Sequence, residues 1–338
     1  MSHPLLIKNG RVLDPASGTD TLRDIAALDG VLVSPNALRG LSGVEEFDAT
    51  GLVVCPGLID LHVHLREPGR PDKETIETGS RAAAAGGFTT ILAMPNTIPV
   101  TDSASTVAWI RQRAQEKACV HVLVCGCLSQ GQKGEVLAPF ASLKKAGVVA
   151  LSDDGRCIQS AELMRRAFEH AHMVGLPILD HCQDESLTAD GVMNEGYWST
   201  VLGLHGWPAI AEEIMISRNA MLADLTRHRV HCQHVTTAGG ARILREARSR
   251  GVPISGEICP HHIALTDAGL EGYDTNFKMN PPLRTQADAD ALVEAFREGV
   301  IDILASDHAP HCDFEKEVEF QEAPFGILGL ETEAGLFL

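Results

Sequence analysis

Aromatic residues make up only 4% of the chain, and no apolar run is long enough to cross a bilayer. The first shortage argues against an aromatic-rich sandwich core, and the second excludes a helical membrane span. Basic residues are scarce too: 28 lysines and arginines face 45 acidic residues, for a formal charge of −17. Nucleic acid and anionic membrane both reward a basic surface, so neither is expected as a partner. A small anionic substrate stays open, because a few local cations hold one. The nine cysteines are odd in number and include no Cys-x-x-Cys pair. Most sit in apolar runs such as "ACVHVLVCGCL", so buried thiols in a reducing compartment are expected rather than a disulfide framework. No basic segment followed by a long apolar core opens the sequence, and we expect a cytoplasmic protein. No Gly-x-Gly-x-x-Gly follows an early strand, which removes the main support for a dinucleotide fold.

What is present is enough apolar sequence, 44%, for a sizeable core. Residues 1–55 read as a small β module. "PLLIKNGRVLDP" and "DIAALDGVLVSP" are short alternating runs punctuated by Asn-Gly, Asp-Gly and Pro, a hairpin-like pattern. From Val53 onward, eight apolar strand-like runs follow: "VVCPGLIDLHV", "FTTILAMP", "VHVLVCGCL", "GVVALS", "LPILDH", "RVHCQHV", "VPISGEIC" and "IDILAS". Segments with helical spacing separate most of them, as in "DKETIETGSRAAAAGG", "DSASTVAWIRQRAQEKA", "SAELMRRAFEHAHMVG" and "AGGARILREARSRG". Alternation of this kind predicts an α/β protein whose residues 56–338 form a (β/α)8 TIM-type barrel. The ending "GILGLETEAGLFL" reads as an eighth helix that stops early at Leu338. Long polar segments near 184–208, "DTNFKMNPPLR" and "PHCDFEKEVEFQEAPFG" are expected as loops at the strands' carboxyl ends, where barrels build their sites.

Those ends are rich in metal-binding side chains. The first strand finishes in "DLHVHLREPG". Period-two alternation puts His62 and His64 on one face, with Asp60 a step deeper and Arg66 a step outward. The fourth strand ends in "SDDG", with Asp153 and Asp154; the fifth in His181; the sixth in His234; the eighth in "SDHAPH", with Asp307. A single strand-end histidine means little, but five strand ends in one register make an N/O ligand set suited to Zn²⁺ or a similar divalent ion. Four histidines and two carboxylates exceed one tetrahedral shell. A binuclear site would use them all and would activate a shared water against an amide or ester carbonyl.

"GLIDLHVHLREPG", "MPNT", "SDDG", "DHCQD", "KMNPPLR", "SDHAPH" and "APFGILGLET" together resemble the dihydroorotases of the amidohydrolase superfamily, in the long bacterial (class I) form. The resemblance runs from about Ile7 to the last residue. It implies His62, His64 and Asp307 around one ion, His181 and His234 around a second, and Asp154 rather than Asp153 bridging them. Many relatives bridge with a carbamylated lysine instead, and "ALSDDG" has no lysine at that strand end. By the same resemblance Asp307 is the general acid–base. Arg66, Asn96 and His311 meet the substrate's carboxylate, Asn280 with the backbone at Phe325 and Gly326 meets the ring amides, and His64 also belongs to the substrate-binding set.

The implied reaction is reversible hydrolysis of (S)-dihydroorotate to N-carbamoyl-L-aspartate, a step of pyrimidine biosynthesis, by a hydroxide bridging one or two Zn²⁺ ions. The alternatives are a hydantoinase- or allantoinase-type cyclic amidohydrolase and a non-catalytic scaffold for aspartate transcarbamoylase. The expected partners are a small-molecule substrate, a second copy of the chain in a homo-oligomer, and aspartate transcarbamoylase. The "CPHH" histidines, His261 and His262, fall outside the ligand pattern. "HCDFEKEVEFQEAPFG" resembles the family's active-site lid.

Overall fold

The computed structural model describes residues 3–337, in two units that divide between Leu58 and Ile59. In the first, β1 (Leu5–Asp14) pairs antiparallel with β2 (Thr19–Leu28), and β2 with β3 (Val31–Val33). β4 (Glu45–Asp48) and β5 (Val53–Val54) join β1 in parallel. Asp29 and Gly30 form the β2–β3 turn, both at positive φ, as a tight hairpin requires. Asn9-Gly10 departs from the turn its sequence advertises. It lies inside β1, where the register against β2 shifts between Ile7 and Gly10, and Asn9 has φ 62°. The pair makes a bulge. A Cβ on Gly10 would stand 2.5 Å from the Val54 side chain, so the strand passes β5 too closely for any larger residue.

The second unit alternates strand and helix. β6 (Leu58–Val63), α1 (Ile76–Ala85), β7 (Phe88–Ala93), α2 (Ala104–Lys117), β8 (His121–Gly126), α3 (Phe140–Ala146), β9 (Val148–Leu151), α4 (Ala161–Val174) and β10 (Ile178–Asp180) come first. The stretch expected as a loop after β10 folds into α5 (Glu185–Thr188), β11 (Met193–Asn194), α6 (Tyr197–Leu202) and β12 (Gly206–Trp207), with β11 and β12 paired. Then follow α7 (Ile210–Thr226), β13 (Val230–Cys232), α8 (Ala238–Ser249), β14 (Ile254–Ile258), α9 (Pro260–Ala264), α10 (Gln286–Arg297), β15 (Ile303–Leu304), α11 (Asp313–Lys316) and α12 (Glu333–Phe337). Eight strands lie side by side in the order β15-β14-β13-β10-β9-β8-β7-β6, with parallel pairing along the sheet. Val63 bridges His308 in parallel just beyond β15, and the His64 N–H donates to the His308 carbonyl at 2.9 Å. That contact brings the last strand back to the first and closes the α/β barrel.

Local signals explain the helix starts. Thr75, Ser103, Ser160, Thr237 and Thr285 cap α1, α2, α4, α8 and α10 with their hydroxyls, and Gly175 ends α4 in the left-handed region at φ 67°. α7 is the longest helix described but has little amphipathic contrast: Met215 and Ile216 are buried while Ile210, Ile214, Met221 and Leu225 are exposed. Alternation sorts the strand side chains. Leu92, Met94, Cys125, Ala150 and Leu179 form one small cluster, and the larger one packs Ile91, Val124, Leu151, Ile178 and Val230 against the helices. All nine cysteines are free; six are buried, while Cys55 and Cys119 are exposed. α12 starts at Glu333 within the expected eighth helix, and Leu338 lies outside the described residues.

Candidate metal centre and substrate pocket

Asp154 stands at the centre of the histidine cluster. Its Oδ1 lies 3.2 Å from His62 Nε2, 3.5 Å from His181 Nδ1 and 3.7 Å from His234 Nε2, and its Oδ2 lies 3.4 Å from His64 Nε2. Asp307 Oδ1 lies 3.0 Å from His64 Nε2 and 3.4 Å from His62 Nε2. All six side chains are buried. Asp153 points elsewhere: it accepts from the Leu128 and Ser129 N–H groups and from the Ser129 hydroxyl. Asp60, one step deeper, accepts from the His62 and Ser306 N–H groups and joins β6 to the end of β15. Arg66, His234 and Asp307 are non-glycine residues at φ 58°, 31° and 44°. Backbone strain of this kind gathers at functional sites, where the surrounding fold enforces it.

The imidazoles are oriented from outside. His62 Nδ1–H donates to Glu257 Oε1 at 2.8 Å, His64 Nδ1–H to Asn96 Oδ1 at 2.9 Å, and His181 Nε2–H to Gln183 Oε1 at 2.8 Å. Each of these bonds turns the inner ring nitrogen toward the carboxylates, where it would face a metal; without one, those carboxylates outweigh burial and raise the pKa of His62 and His181. Two sets, His62–His64–Asp307 and His62–Asp154–His234, bring their ligand atoms within 4.8 Å of one another. Burial opposes ionisation of Asp154 and Asp307. Neighbouring histidines outweigh it and hold both carboxyls below the usual range, His62 foremost for each. Imidazole nitrogens and ionised carboxylates crowded together in this way fit a divalent cation, which would take the place of the imidazole protons.

A cavity of about 100 Å³ opens beside this centre, lined in part by Arg66, Asn96, Asn280, Phe325 and Gly326. Asn280 Oδ1 is buried without a hydrogen-bond partner, an acceptor left idle in the lining. Arg66 Nε donates to the Pro310 carbonyl at 3.2 Å. Asn96 is committed to the metal side, since its amide nitrogen faces Asp154 Oδ2 at 3.3 Å. His311 Nε2–H donates to the Phe325 carbonyl at 2.8 Å, the Gly326 N–H donates to Lys278 O, and the Gly326 carbonyl accepts from Lys316 Nζ. A Cβ on Gly326 would come within 2.3 Å of the Ala309 carbonyl, so only glycine fits that turn of the chain.

Several supporting residues escaped the sequence reading. Glu257 accepts from both His62 and His231, and His231 in turn accepts from Ser255. Together they hold Glu257 below the usual carboxyl range against its burial. Its inward alternation in "SGEIC" was the available signal. Lys278 and Lys316 are lysines spent on main-chain carbonyls: Lys278 donates to Phe320 O and Gln321 O, and Lys316 to Thr275 O, Pro324 O and Gly326 O. Burial lowers each to about 8. Lys73 Nζ donates to His311 Nδ1 and pairs with Glu315, both at 2.9 Å. No spacing rule marks a loop lysine for such work.

Comparison with known proteins agrees with this architecture. A family model described as "Dihydro-orotase-like" matches residues 51–239. A dihydroorotase of Pelotomaculum thermopropionicum is 50% identical over 332 residues, 98% of this chain and 78% of that protein. One of Geobacter sulfurreducens is 50% identical over 335 residues, 99% of this chain and 79% of that protein. Among solved structures, an L-hydantoinase (dihydropyrimidinase) from Arthrobacter aurescens superposes with a TM-score of 0.85 at 24% identity, covering 99% of this chain and 76% of that one. That likeness speaks for the fold alone. Identity near one half along almost the whole chain goes further, and the chain belongs to the dihydroorotase family of the amidohydrolase superfamily.

Proposed function

We propose that the chain hydrolyses (S)-dihydroorotate reversibly to N-carbamoyl-L-aspartate. The observation that carries this reading is the idle Asn280 acceptor and the Arg66 guanidinium lining one cavity with Asp154 and Asp307. His62, His64, His181, His234, Asp154 and Asp307 would hold the metal, with Asp154 between all four histidines. The N/O donor set suits Zn²⁺, which when bound polarises a carbonyl and acidifies water. Arg66 binds the substrate carboxylate by a charge-assisted bond, and His311, held neutral as an Nε2–H donor, lies beside it. Asn280 Oδ1 accepts a ring N–H. Asp307 takes the proton of the attacking water and delivers it to the ring nitrogen as the amide C–N bond breaks. The 312–326 segment, fixed by Lys278 and Lys316, keeps bulk water from the ring.

Turnover assays with dihydroorotate, hydantoin and allantoin test the assignment. Dihydroorotate is expected to be favoured by orders of magnitude in kcat/KM, and a preference for either other ring overturns it. On the same reading the chain works in the cytoplasm as a homo-oligomer and takes aspartate transcarbamoylase as its protein partner. Light scattering with and without the transcarbamoylase checks both associations.

A further inference from the structure

We propose that Cys259, His261 and His262 form a second metal site, separate from the Asp154 centre, that takes a cation of the Zn²⁺ class through one thiolate and two imidazoles. One ligand atom from each lies within 4.8 Å of the other two, and all three residues are buried. They stand where β14 passes into α9, with Cys259 as the helix N-cap. The short helix brings positions i, i+2 and i+3 together, and the two imidazole centroids are 4.2 Å apart.

Hydrogen bonding points to an occupant. His262 Nε2–H donates to the Pro281 carbonyl at 2.9 Å, so its Nδ1 carries a bare lone pair, and that atom has no partner. A ligating histidine is anchored in this way, by its outer N–H on a backbone carbonyl. His261 is buried with neither ring nitrogen bonded. No hydrogen bond reaches the Cys259 sulfur among the described residues. Buried polar groups without partners are rare, and three nitrogens in two adjacent rings are an unusual concentration.

The surroundings favour a cation. Burial, then the charges of Asp307 and Glu257, push the Cys259 thiol well up. A bound cation reverses that effect, because its own charge deprotonates a coordinating thiol. Burial also keeps His261 and His262 neutral, the ligating form. Since His262 holds the Pro281 carbonyl, an ion here ties α9 to the segment that carries Asn280.

Cobalt substitution of the purified full chain tests the site. The Asp154 centre offers no sulfur, so a thiolate-to-cobalt charge-transfer band in the near ultraviolet reports Cys259. Wild type is expected to show the band and to carry one more ion per chain than Cys259→Ser, and His262→Gln is expected to lose both as well. An Asp154→Asn/His181→Ala double variant is expected to keep the band, so failure of the dihydroorotase reading leaves this result standing. Near-UV circular dichroism separates loss of a ligand from loss of fold. Equal ion counts and no band in wild type, as for a water-filled pair, would overturn the proposal, and so would a band that survives Cys259→Ser.

Discussion

The half of the site proposed to hold metal and the half proposed to hold substrate are built differently. His62, His64, Asp154, His181, His234 and Asp307 lie in or just past barrel strands, where parallel ladders fix each backbone. Their side chains are then oriented by Glu257, Asn96 and Gln183. Arg66, Asn280, His311, Phe325 and Gly326 lie on loops after β6 and β15 and before α10. Those loops have no ladder, and lysines bonded to main-chain carbonyls hold them instead. Ladder-held groups suit chemistry that fails with small misplacement, whereas loops suit recognition that must admit and release a ligand.

The comparison predicts that damage to the strand half appears in kcat or metal affinity, and damage to the loop half in KM. The largest effect is expected for Asp307→Asn, about 10²–10⁴-fold in kcat with most metal retained. Steady-state kinetics beside metal analysis measures it, and activity within tenfold of wild type would move the acid–base role off the strand ends. Next comes Arg66→Met. Loss of a hydrogen bond to a charged group costs about 1.5–3 kcal/mol, roughly 10–150-fold, and it should fall on KM. A fall in kcat at constant KM would erase the division of labour. Glu257→Gln should weaken metal binding about 10–100-fold, because His62 loses its carboxylate anchor, while excess metal restores kcat. Chelator competition reads that affinity; an unchanged value would make Glu257 a packing residue.

The same contrast governs what the sequence disclosed. Strand alternation carried His62 and His64 to one face, and the strand ends located Asp154, His181, His234 and Asp307, because a ladder converts sequence register into position. All eight barrel strands were legible as apolar runs. α7 was not, since exposed Ile210, Ile214, Met221 and Leu225 blur its buried face. Asn9-Gly10 read as a turn because a bulge and a turn ask for the same positive φ. Glu257 showed only its inward alternation, because its partner His62 is far away in sequence, and Lys278 showed nothing, because local pattern carries no trace of the 320–321 carbonyls.

The smallest expected effect tests the loop half at its most polar contact. His311 lies near Arg66 and Lys73. Burial, then those two cations, lower its pKa to about 3. It therefore binds no proton until the pH falls toward 3, and KM should show no His311 titration between about pH 5 and 8. Lys73→Met removes the smaller of the two cationic effects and frees Nδ1, so the pKa should rise above about 3, while burial and Arg66 keep it below the ordinary histidine value of about 6.5. His311 would then gain charge at a higher pH than in wild type, adding attraction for the substrate carboxylate. KM of Lys73→Met should accordingly begin to decrease at a higher pH than that of wild type as the pH is lowered from 8 toward 4, while kcat follows the wild-type profile. A KM curve parallel to wild type would mean that burial and Arg66 suffice to keep His311 neutral. The ammonium contact would then serve to fix the 312–316 segment rather than the protonation state of the ring.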